Sequence, residues 1–499
     1  MDLFTNLSLG FGIALSWQNL GLCFIGCLLG TLVGVLPGIG PLPTMAMLLP
    51  ITFKLDPIGA LIMLAGVFYG AQYGGSTTAI LLRLPGETSS LVTIIDGHAL
   101  AQRGRAGTAL AMAAYGSVIA GILTTIVIGV GAPMLASVAL LFQSADYVSV
   151  MVLGLVGAVV LAQGSILKAL AAITFGALLG LVGTDVTTGE FRLTMGFNSI
   201  ADGLGFVPIA MGLFGLAEIA HNLERTKGIG QRITTIGSLL PSPVELMRVL
   251  PSILRGTAIG TAFGILPGGG PTISAFSAYS LEKKIAKRPE EFGNGALEGV
   301  AAPEAANNAA AQACFIPMLS LGIPPNAIMA LMIGAMMIHG ITPGPEIITK
   351  QPALFWGMVV SMLIGNIILV ILNLPLIGVW VRLLGMPYRF LFPTILVFCC
   401  IGAYTVDNSI EDVIIMVIFG VIGYIMQKLE CEPTPMLLGF VLAPMLEENF
   451  RRAMMVSDGS ATIFVTRPIS LGFLVASAVL LLTMAFSSVR ERRARAFKE

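Results

Sequence analysis

Long apolar stretches recur from one end of this sequence to the other, and they restrict its fold more than any other feature. The 499 residues are 56% hydrophobic and only 11% charged, whereas roughly a quarter of a soluble domain is charged. Stretches such as 8–36, 108–135 and 354–374 reach the roughly 20 residues that a membrane-spanning helix needs. The alternating pattern of a membrane β-barrel does not occur. We therefore predict an all-α integral membrane protein, a polytopic helical bundle.

Clusters of glycine and proline interrupt these stretches, and one cluster recurs. Residues 30–41 (GTLVGVLPGIGP) and 260–271 (GTAFGILPGGGP) are identical at eight of twelve positions. Further breaks follow each copy, at 73–78 and 84–86 in the first half and at 302–308 and 323–325 in the second. The pattern predicts two repeats with scaffold helices, residues 1–240 and 241–499, each with a re-entrant helical hairpin and a broken helix.

The distribution of lysine and arginine predicts how these repeats are oriented, because cytoplasmic loops gather basic residues. The second glycine-proline motif has basic residues on both sides, such as Arg248 and Lys283. The first motif has no basic residue before it and only Lys54 soon after it. Further basic residues, such as Arg103, accumulate beyond its later breaks. This opposite bias predicts inverted repeats, with the first hairpin entering from outside and the second from the cytoplasm. The basic C-terminus, residues 489–499, is predicted to be cytoplasmic.

The glycine-proline breaks are predicted to start helices at membrane depth. Proline suits the first helical position, and free amide groups with the positive end of the helix dipole favour an anion. Hydroxyl groups in the first turn would add donors, and freed carbonyl groups would hold a coupling cation. The alternative is that the glycines only allow close helix packing. The predicted substrate-binding residues are Pro37, Gly38, Gly40 and Thr44 at the first tip, Gly74, Gly75, Ser76, Thr77 and Thr78 at the next break, Pro267, Gly268, Gly269, Gly270, Thr272 and Ser274 at the second tip, and Asn307 and Asn308 beyond it.

Glu304 lies inside a stretch of small and apolar residues. An ionisable group at membrane depth is a functional candidate, as a proton carrier or a cation ligand. The alternative is that it caps a half-helix or lies in a wet loop. The predicted coupling-ion residues are Glu304, Gly38 and Gly268. Since the sequence shows no nucleophile with a base and no metal-ligand spacing, we predict no catalytic residue, no cofactor and no metal other than sodium.

These motifs resemble those of the large membrane subunit of the bacterial tripartite tricarboxylate transporters. The resemblance covers essentially the whole chain and is most specific at residues 34–41, 69–76, 264–271 and 303–310. It implies an inner-membrane transporter subunit, not an enzyme, that works with a small membrane subunit and a periplasmic solute-binding protein. It also implies energy from a cation gradient of Na⁺ or H⁺ and not from ATP.

The same resemblance implies substrates among small organic carboxylates, which are tricarboxylates such as citrate, dicarboxylates or aromatic acids. Together with the predicted helix starts, it favours import by symport, in which the carboxylate binds between the two hairpin tips near the membrane midplane. A channel, or an assembly subunit without a transport site of its own, remains the alternative. Neither the balanced charge nor any motif indicates a nucleic-acid partner.

Overall fold

The structure is a computed structural model that describes residues 3–36, 40–84, 86–139, 141–162, 165–185, 188–197, 200–225, 237–239, 241–266, 270–383 and 388–485. Within these ranges the chain is overwhelmingly helical, and five helices are long and apolar enough to cross a membrane. The predicted all-α polytopic membrane protein is thus confirmed. One of the five, residues 106–138, exposes Ile126, Val130 and Met134 at helical spacing. Such a stripe is suited to contact with lipid.

The elements of the first half begin with the two helices of the first apolar stretch and include one short β-hairpin. They are α1 (Leu3–Ala14), α2 (Trp17–Val35), α3 (Pro41–Thr52), α4 (Pro57–Leu82), α5 (Leu91–Thr93), α6 (Ala99–Gln102), α7 (Ala106–Ala139), α8 (Ser144–Leu161), α9 (Ile166–Gly180), β1 (Gly183–Thr184), β2 (Phe191–Arg192), α10 (Phe206–Ala210) and α11 (Ala217–Arg225). A 3₁₀ turn, Thr88–Ser90, precedes α5, and π-helical segments, Ile94–His98 and Met211–Leu216, precede α6 and α11. The two strands pair antiparallel.

The described residues of the second half form helices and loops and no strand. Its helices are α12 (Pro243–Ile265), α13 (Gly270–Ile285), α14 (Glu298–Ala313), α15 (Phe315–Leu321), α16 (Ala327–Ile338), α17 (Glu346–Lys350), α18 (Pro352–Asn373), α19 (Ile377–Leu383), α20 (Tyr388–Asp407), α21 (Ile410–Lys428), α22 (Thr434–Val456), α23 (Ile463–Thr466) and α24 (Pro468–Ala485). A 3₁₀ turn, Pro289–Glu291, lies between α13 and α14.

Side-chain caps explain several helix starts. Ser16 accepts a hydrogen bond from the backbone of Asn19, so the apolar stretch predicted as one segment at 8–36 is divided into α1 and α2. Asp56 accepts from two backbone amides at the start of α4, and Pro57 occupies its first turn. Ser242 and Glu245 form a capping box at the start of α12. Each cap satisfies amide groups that the first helical turn leaves unpaired.

Two predicted half-helix starts are wrong. Helix α4 continues without a break through Gly74–Thr78 to Leu82, and α14 continues through Asn307 and Asn308 with Pro303 inside it. The breaks come later in each half. Helix α4 ends where Arg83 adopts a left-handed conformation, with φ of 58°, and α15 ends at Gly322, with φ of 72°. The predicted broken helices therefore do not expose N-termini at 74–78 or at 307–308.

The glycines of the long helices instead let two helix pairs pack closely. A Cβ atom added to Gly30 of α2 would lie 2.3 Å from the carbonyl oxygen of Val67 in α4. A Cβ atom added to Gly260 of α12 would lie 2.2 Å from the carbonyl oxygen of Ala306 in α14. Gly30 and Gly260 occupy equivalent positions of the two matching motifs, and glycines four residues away on either side make the same contacts. The two halves therefore share one helix-pair arrangement, typical of small-residue packing in membranes.

Helix starts at both glycine-proline tips are confirmed. Helix α3 begins at Pro41, directly after Gly40 with φ of 67°, and α13 begins at Gly270, with φ of 52°. Only glycine adopts such angles readily. The predicted tip residues Pro37, Gly38, Pro267, Gly268 and Gly269 lie outside the described residues.

Candidate functional site

A group of interior polar side chains lies where α4, α14 and the segment following α4 meet. We call this group the polar cluster. Its members are Gln72, Ser76, Glu87, Ser89, Thr93, Glu304 and Asn307. All are buried except Glu87, which is half-buried. Three of them were singled out from the sequence, whereas Gln72, Glu87, Ser89 and Thr93 were missed.

Glu304 is the central carboxylate of the polar cluster and is only 1% exposed. The Ser76 hydroxyl donates to its Oε2 atom at 2.6 Å, and the Thr93 hydroxyl donates to its Oε1 atom. No lysine, arginine or histidine of the described residues forms an ion pair with it. Since Glu304 lies within α14 and is buried, the alternative of a helix cap or a wet loop is wrong. Its carboxylate is instead an interior acidic group without a basic partner, which is costly unless a proton or cation joins it.

Glu87 is a second carboxyl group of the polar cluster. Ser89 contacts both the Glu87 carboxylate and the Gln72 Oε1 atom, the latter at 3.2 Å. Glu87 packs directly on α4, because a Cβ atom added to Gly75 would lie 3.2 Å from the Glu87 Cγ atom. Gly75 is therefore needed for close approach and not for a helix start. The signal that could have found Glu87 is its position directly after the break at 84–86.

The two neighbouring asparagines of α14 differ in their contacts. The Asn308 Nδ2 atom donates to Ser117 Oγ at 2.6 Å and to the Glu304 carbonyl oxygen at 3.1 Å. Asn307 lies beside Glu87. Neither polar atom of its amide has a hydrogen-bond partner among the described residues, although Asn307 is fully buried. Buried amides are normally paired, and an unpaired one is suited to a ligand.

The tip residues are only partly brought to the polar cluster. Thr272, in the first turn of α13, lies 2.9 Å from Thr88, which directly follows Glu87. Thr44 and Ser274 each donate to a carbonyl oxygen four residues earlier, Gly40 or Gly270, at 2.8 Å. In this structure the hydroxyl protons of Thr44 and Ser274 are thus taken by their own helices, and the substrate-binding role of both residues stays a prediction.

The remaining predicted residues of α4 lie on either side of the polar cluster. Gly74 packs on α2, because an added Cβ atom would lie 2.4 Å from the Thr31 carbonyl oxygen. Thr78 donates to the Val35 carbonyl oxygen at 2.8 Å and so ties α4 to the end of α2. Thr77 lines a small cavity next to Ser76. The structure thus brings together Ser76, Thr77 and the α14 residues, while Gly40 and Thr44 lie at the start of α3.

Asp96 is a third interior carboxylate, which the sequence reasoning also missed. Its Oδ1 atom accepts hydrogen bonds from the backbone amides of Gly293, Gly295 and Ala296 at 2.7–2.9 Å. Its Oδ2 atom accepts from the Tyr279 hydroxyl at 3.0 Å. Four hydrogen-bond donors therefore converge on the two oxygen atoms of this carboxylate. Asp96 therefore joins the segment after α4 to the loop before α14, as a structural clamp.

Ion pairs compensate the acidic residues at the outer ends of α12 and α14. Arg248 contacts Glu291 and Glu298 at 2.6 Å. Hydrogen bonds from Arg248 and Arg288 lower the pKa of Glu291 below its ordinary value. Backbone and side-chain hydrogen bonds of Ser242, with the contact to Arg105, lower the pKa of Glu245 in the same way. Glu304 differs from these residues, because its carboxylate has hydroxyl donors only and no ion pair among the described residues.

Comparisons with known proteins identify a family and relatives of this chain. The family model described as "Tripartite tricarboxylate transporter TctA family" matches residues 20–438. A relative from Agrobacterium vitis, described as "Uncharacterized 52.8 kDa protein in TAR-I ttuC' 3'region", is 53% identical over 499 residues, which is 100% of this chain and 99% of the relative. A second one, "Uncharacterized protein in TAR-II ttuC' 3'region", is 54% identical over 240 residues, 48% of this chain and 99% of that protein. No solved structure matches the chain.

Proposed function

This chain belongs to the tripartite tricarboxylate transporter TctA family, and from that premise we propose that it is the substrate-translocating subunit of a symporter for small organic carboxylates. The substrates are tricarboxylates such as citrate, or dicarboxylates, imported across the bacterial inner membrane. A small membrane subunit and a periplasmic binding protein are its partners, and a Na⁺ or H⁺ gradient drives uptake. The C-terminus is cytoplasmic in this proposal.

The buried carboxylate of Glu304 is the observation that carries the proposal. It has two hydroxyl donors but no basic partner among the described residues. Removing an unpaired charge from water costs several kcal/mol, so a protein keeps such a group when something positive binds it in the working cycle. A transporter driven by a cation gradient has this requirement.

The start of α13 is the proposed approach for the carboxylate substrate. Thr272 lies there against Thr88, beside Glu87 and the unpaired amide of Asn307. Free amide groups of a helix start attract an anion, while the nearby carboxylates of Glu87 and Glu304 repel it. Neutralisation of the polar cluster by the coupling cation would remove this repulsion. Cation and carboxylate would therefore enter together, which is symport.

Uptake by the complete transporter tests this function. We expect vesicles that contain this chain, its small membrane partner and the binding protein to accumulate labelled carboxylate above the outside concentration. Accumulation should stop when ionophores collapse the cation gradients, and vesicles without the binding protein serve as the control. Passive equilibration that ionophores do not affect would instead identify a channel. Uptake that persists without this chain would identify an assembly subunit.

The repeats are proposed to be inverted, because basic residues flank the second tip and not the first. Lys54 follows α3 and Lys284 lies near the end of α13, and both are exposed. We expect single cysteines at these positions, in a chain without its native cysteines, to react with a membrane-impermeant thiol reagent from opposite sides. Reaction of both positions from the same side would contradict the inverted arrangement. Cysteine at the exposed Lys287, in the loop after α13, gives a reference for the Lys284 side.

A further inference from the structure

A small cavity lies between α4, α7 and α18, next to Ser76 of the polar cluster. Its volume is about 10 Å³, which is room for about one water-sized occupant. Ser76 and Thr77 line it from α4, Ser117 lines it from α7, and Asn373 lines it from the end of α18. All four side chains are buried. Three helices thus contribute polar side chains to the lining of one small space.

Asn373 provides an oxygen atom that has no partner in the protein. Its Nδ2 atom donates to the Leu369 carbonyl oxygen at 2.9 Å and lies 3.5 Å from the Thr31 hydroxyl. These two acceptors fix the orientation of the amide. The Oδ1 atom is buried and has no hydrogen-bond partner among the residues that the structure describes. An acceptor in this position calls for a positive or hydrogen-donating occupant.

The Glu304 carboxylate makes the cavity attractive to a cation. Ser76 belongs to the cavity wall and also contacts Glu304 at 2.6 Å. On the opposite wall, Asn308 connects Ser117 to the Glu304 carbonyl oxygen. The Glu304 charge has no ion pair in the described part of the chain, and its attraction acts strongly in the low-dielectric interior. A cation in the cavity would compensate that charge, which a neutral water molecule cannot do.

We propose that this cavity is a binding site for one dehydrated monovalent cation of the size of sodium. Ser76, Thr77, Ser117 and Asn373 supply its side-chain oxygen ligands, and Glu304 compensates its charge from behind Ser76. A cavity with room for one water-sized occupant favours sodium or lithium over the larger potassium ion. The assignment of this ion as the coupling ion rests on the proposed transport function, whereas the site itself does not.

Sodium binding to the purified full-length chain tests the site without any transport assay. We expect saturable binding of one radioactive sodium ion per chain, displaced by unlabelled sodium or lithium but not by potassium or choline. Thr77→Val and Ser117→Ala each remove one ligand and should weaken binding at least about tenfold, and Glu304→Gln should weaken it roughly 10–100-fold. The matched control is Ser361→Ala, which removes a buried α18 hydroxyl that bonds within its own helix and should leave binding unchanged.

Absence of saturable sodium binding by the wild-type chain would overturn the site, as would equal binding by the wild type, Thr77→Val and Ser117→Ala. Melting temperatures measured in choline chloride identify a variant that fails to fold. If Thr77→Val or Ser117→Ala does not fold, sodium binding by the other variant is compared with that of the wild-type chain. The outcome is separate from that of the proposed function. Uptake driven by a proton gradient, without sodium binding, would contradict the sodium site and support the transporter function. Sodium binding without uptake would support the site and contradict the transporter function.

Discussion

Replacement of Glu304 by glutamine should nearly abolish coupled uptake while leaving the protein folded. The change keeps the shape of the side chain and removes the charge that Ser76 and Thr93 now contact. Hydrogen bonds to charged groups are worth about 1.5–3 kcal/mol, and about 1.4 kcal/mol is a factor of ten. We therefore expect a loss of roughly tenfold to hundredfold in uptake rate at limiting cation concentration, measured in vesicles that contain the complete transporter.

Glu298→Gln is the matched control, because it makes the same change in the same helix. Glu298 begins α14 and pairs with Arg248 near the surface, so its loss should leave most of the uptake. Exposed ion pairs contribute only about 0–1 kcal/mol to stability.

Glu304→Gln should not lower the stability of the protein, although it lowers uptake. Since an uncompensated buried charge is costly, its neutral replacement should leave the melting temperature of the purified chain unchanged or raise it. Uptake equal to that of the wild type would remove Glu304 from the mechanism. A large fall in melting temperature would show that its role is structural.

The sequence predicts correctly those elements that local signals determine. Apolar length identifies the membrane helices, and proline after a positive-φ glycine marks the starts of α3 and α13. The same reasoning failed at Gly74 and Gly75. Glycine serves both for breaking a helix and for letting another segment approach it closely. At Gly74 and Gly75 the second use applies because α2 and Glu87 pack against them, and the local sequence does not show which segments pack there.

The polar cluster could be predicted only in part for the same reason. Glu304 was identified because an ionisable residue in an apolar stretch is unusual. Its partners Ser76 and Thr93 are 228 and 211 residues away in the chain. The local sequence does not distinguish a hydroxyl that donates to a distant carboxylate from one that donates to its own helix, as Ser274 does. Partner identity is a property of the tertiary packing, so Thr93 gave no signal.

Removal of the Asp96 carboxylate should destabilise the protein more than any single change at the polar cluster. Asp96→Ala leaves the amide groups of Gly293, Gly295 and Ala296, with the Tyr279 hydroxyl, without their acceptor. Each buried donor left unpaired costs about 1–3 kcal/mol. We therefore expect a loss of several kcal/mol, measured as a lower melting temperature and faster proteolysis of the loop between α13 and α14.

Two milder substitutions separate the parts of this clamp. Asp96→Asn keeps one oxygen acceptor for the three amides, and its new amide group can donate to the Tyr279 hydroxyl, so it should cost much less than Asp96→Ala. Tyr279→Phe removes a single hydrogen bond, worth about 1.5–3 kcal/mol to a charged group. The expected order of melting temperatures places Asp96→Ala lowest. Equal values for Asp96→Ala and Tyr279→Phe would show that the three amide contacts contribute nothing, and that the loop before α14 is held by other packing.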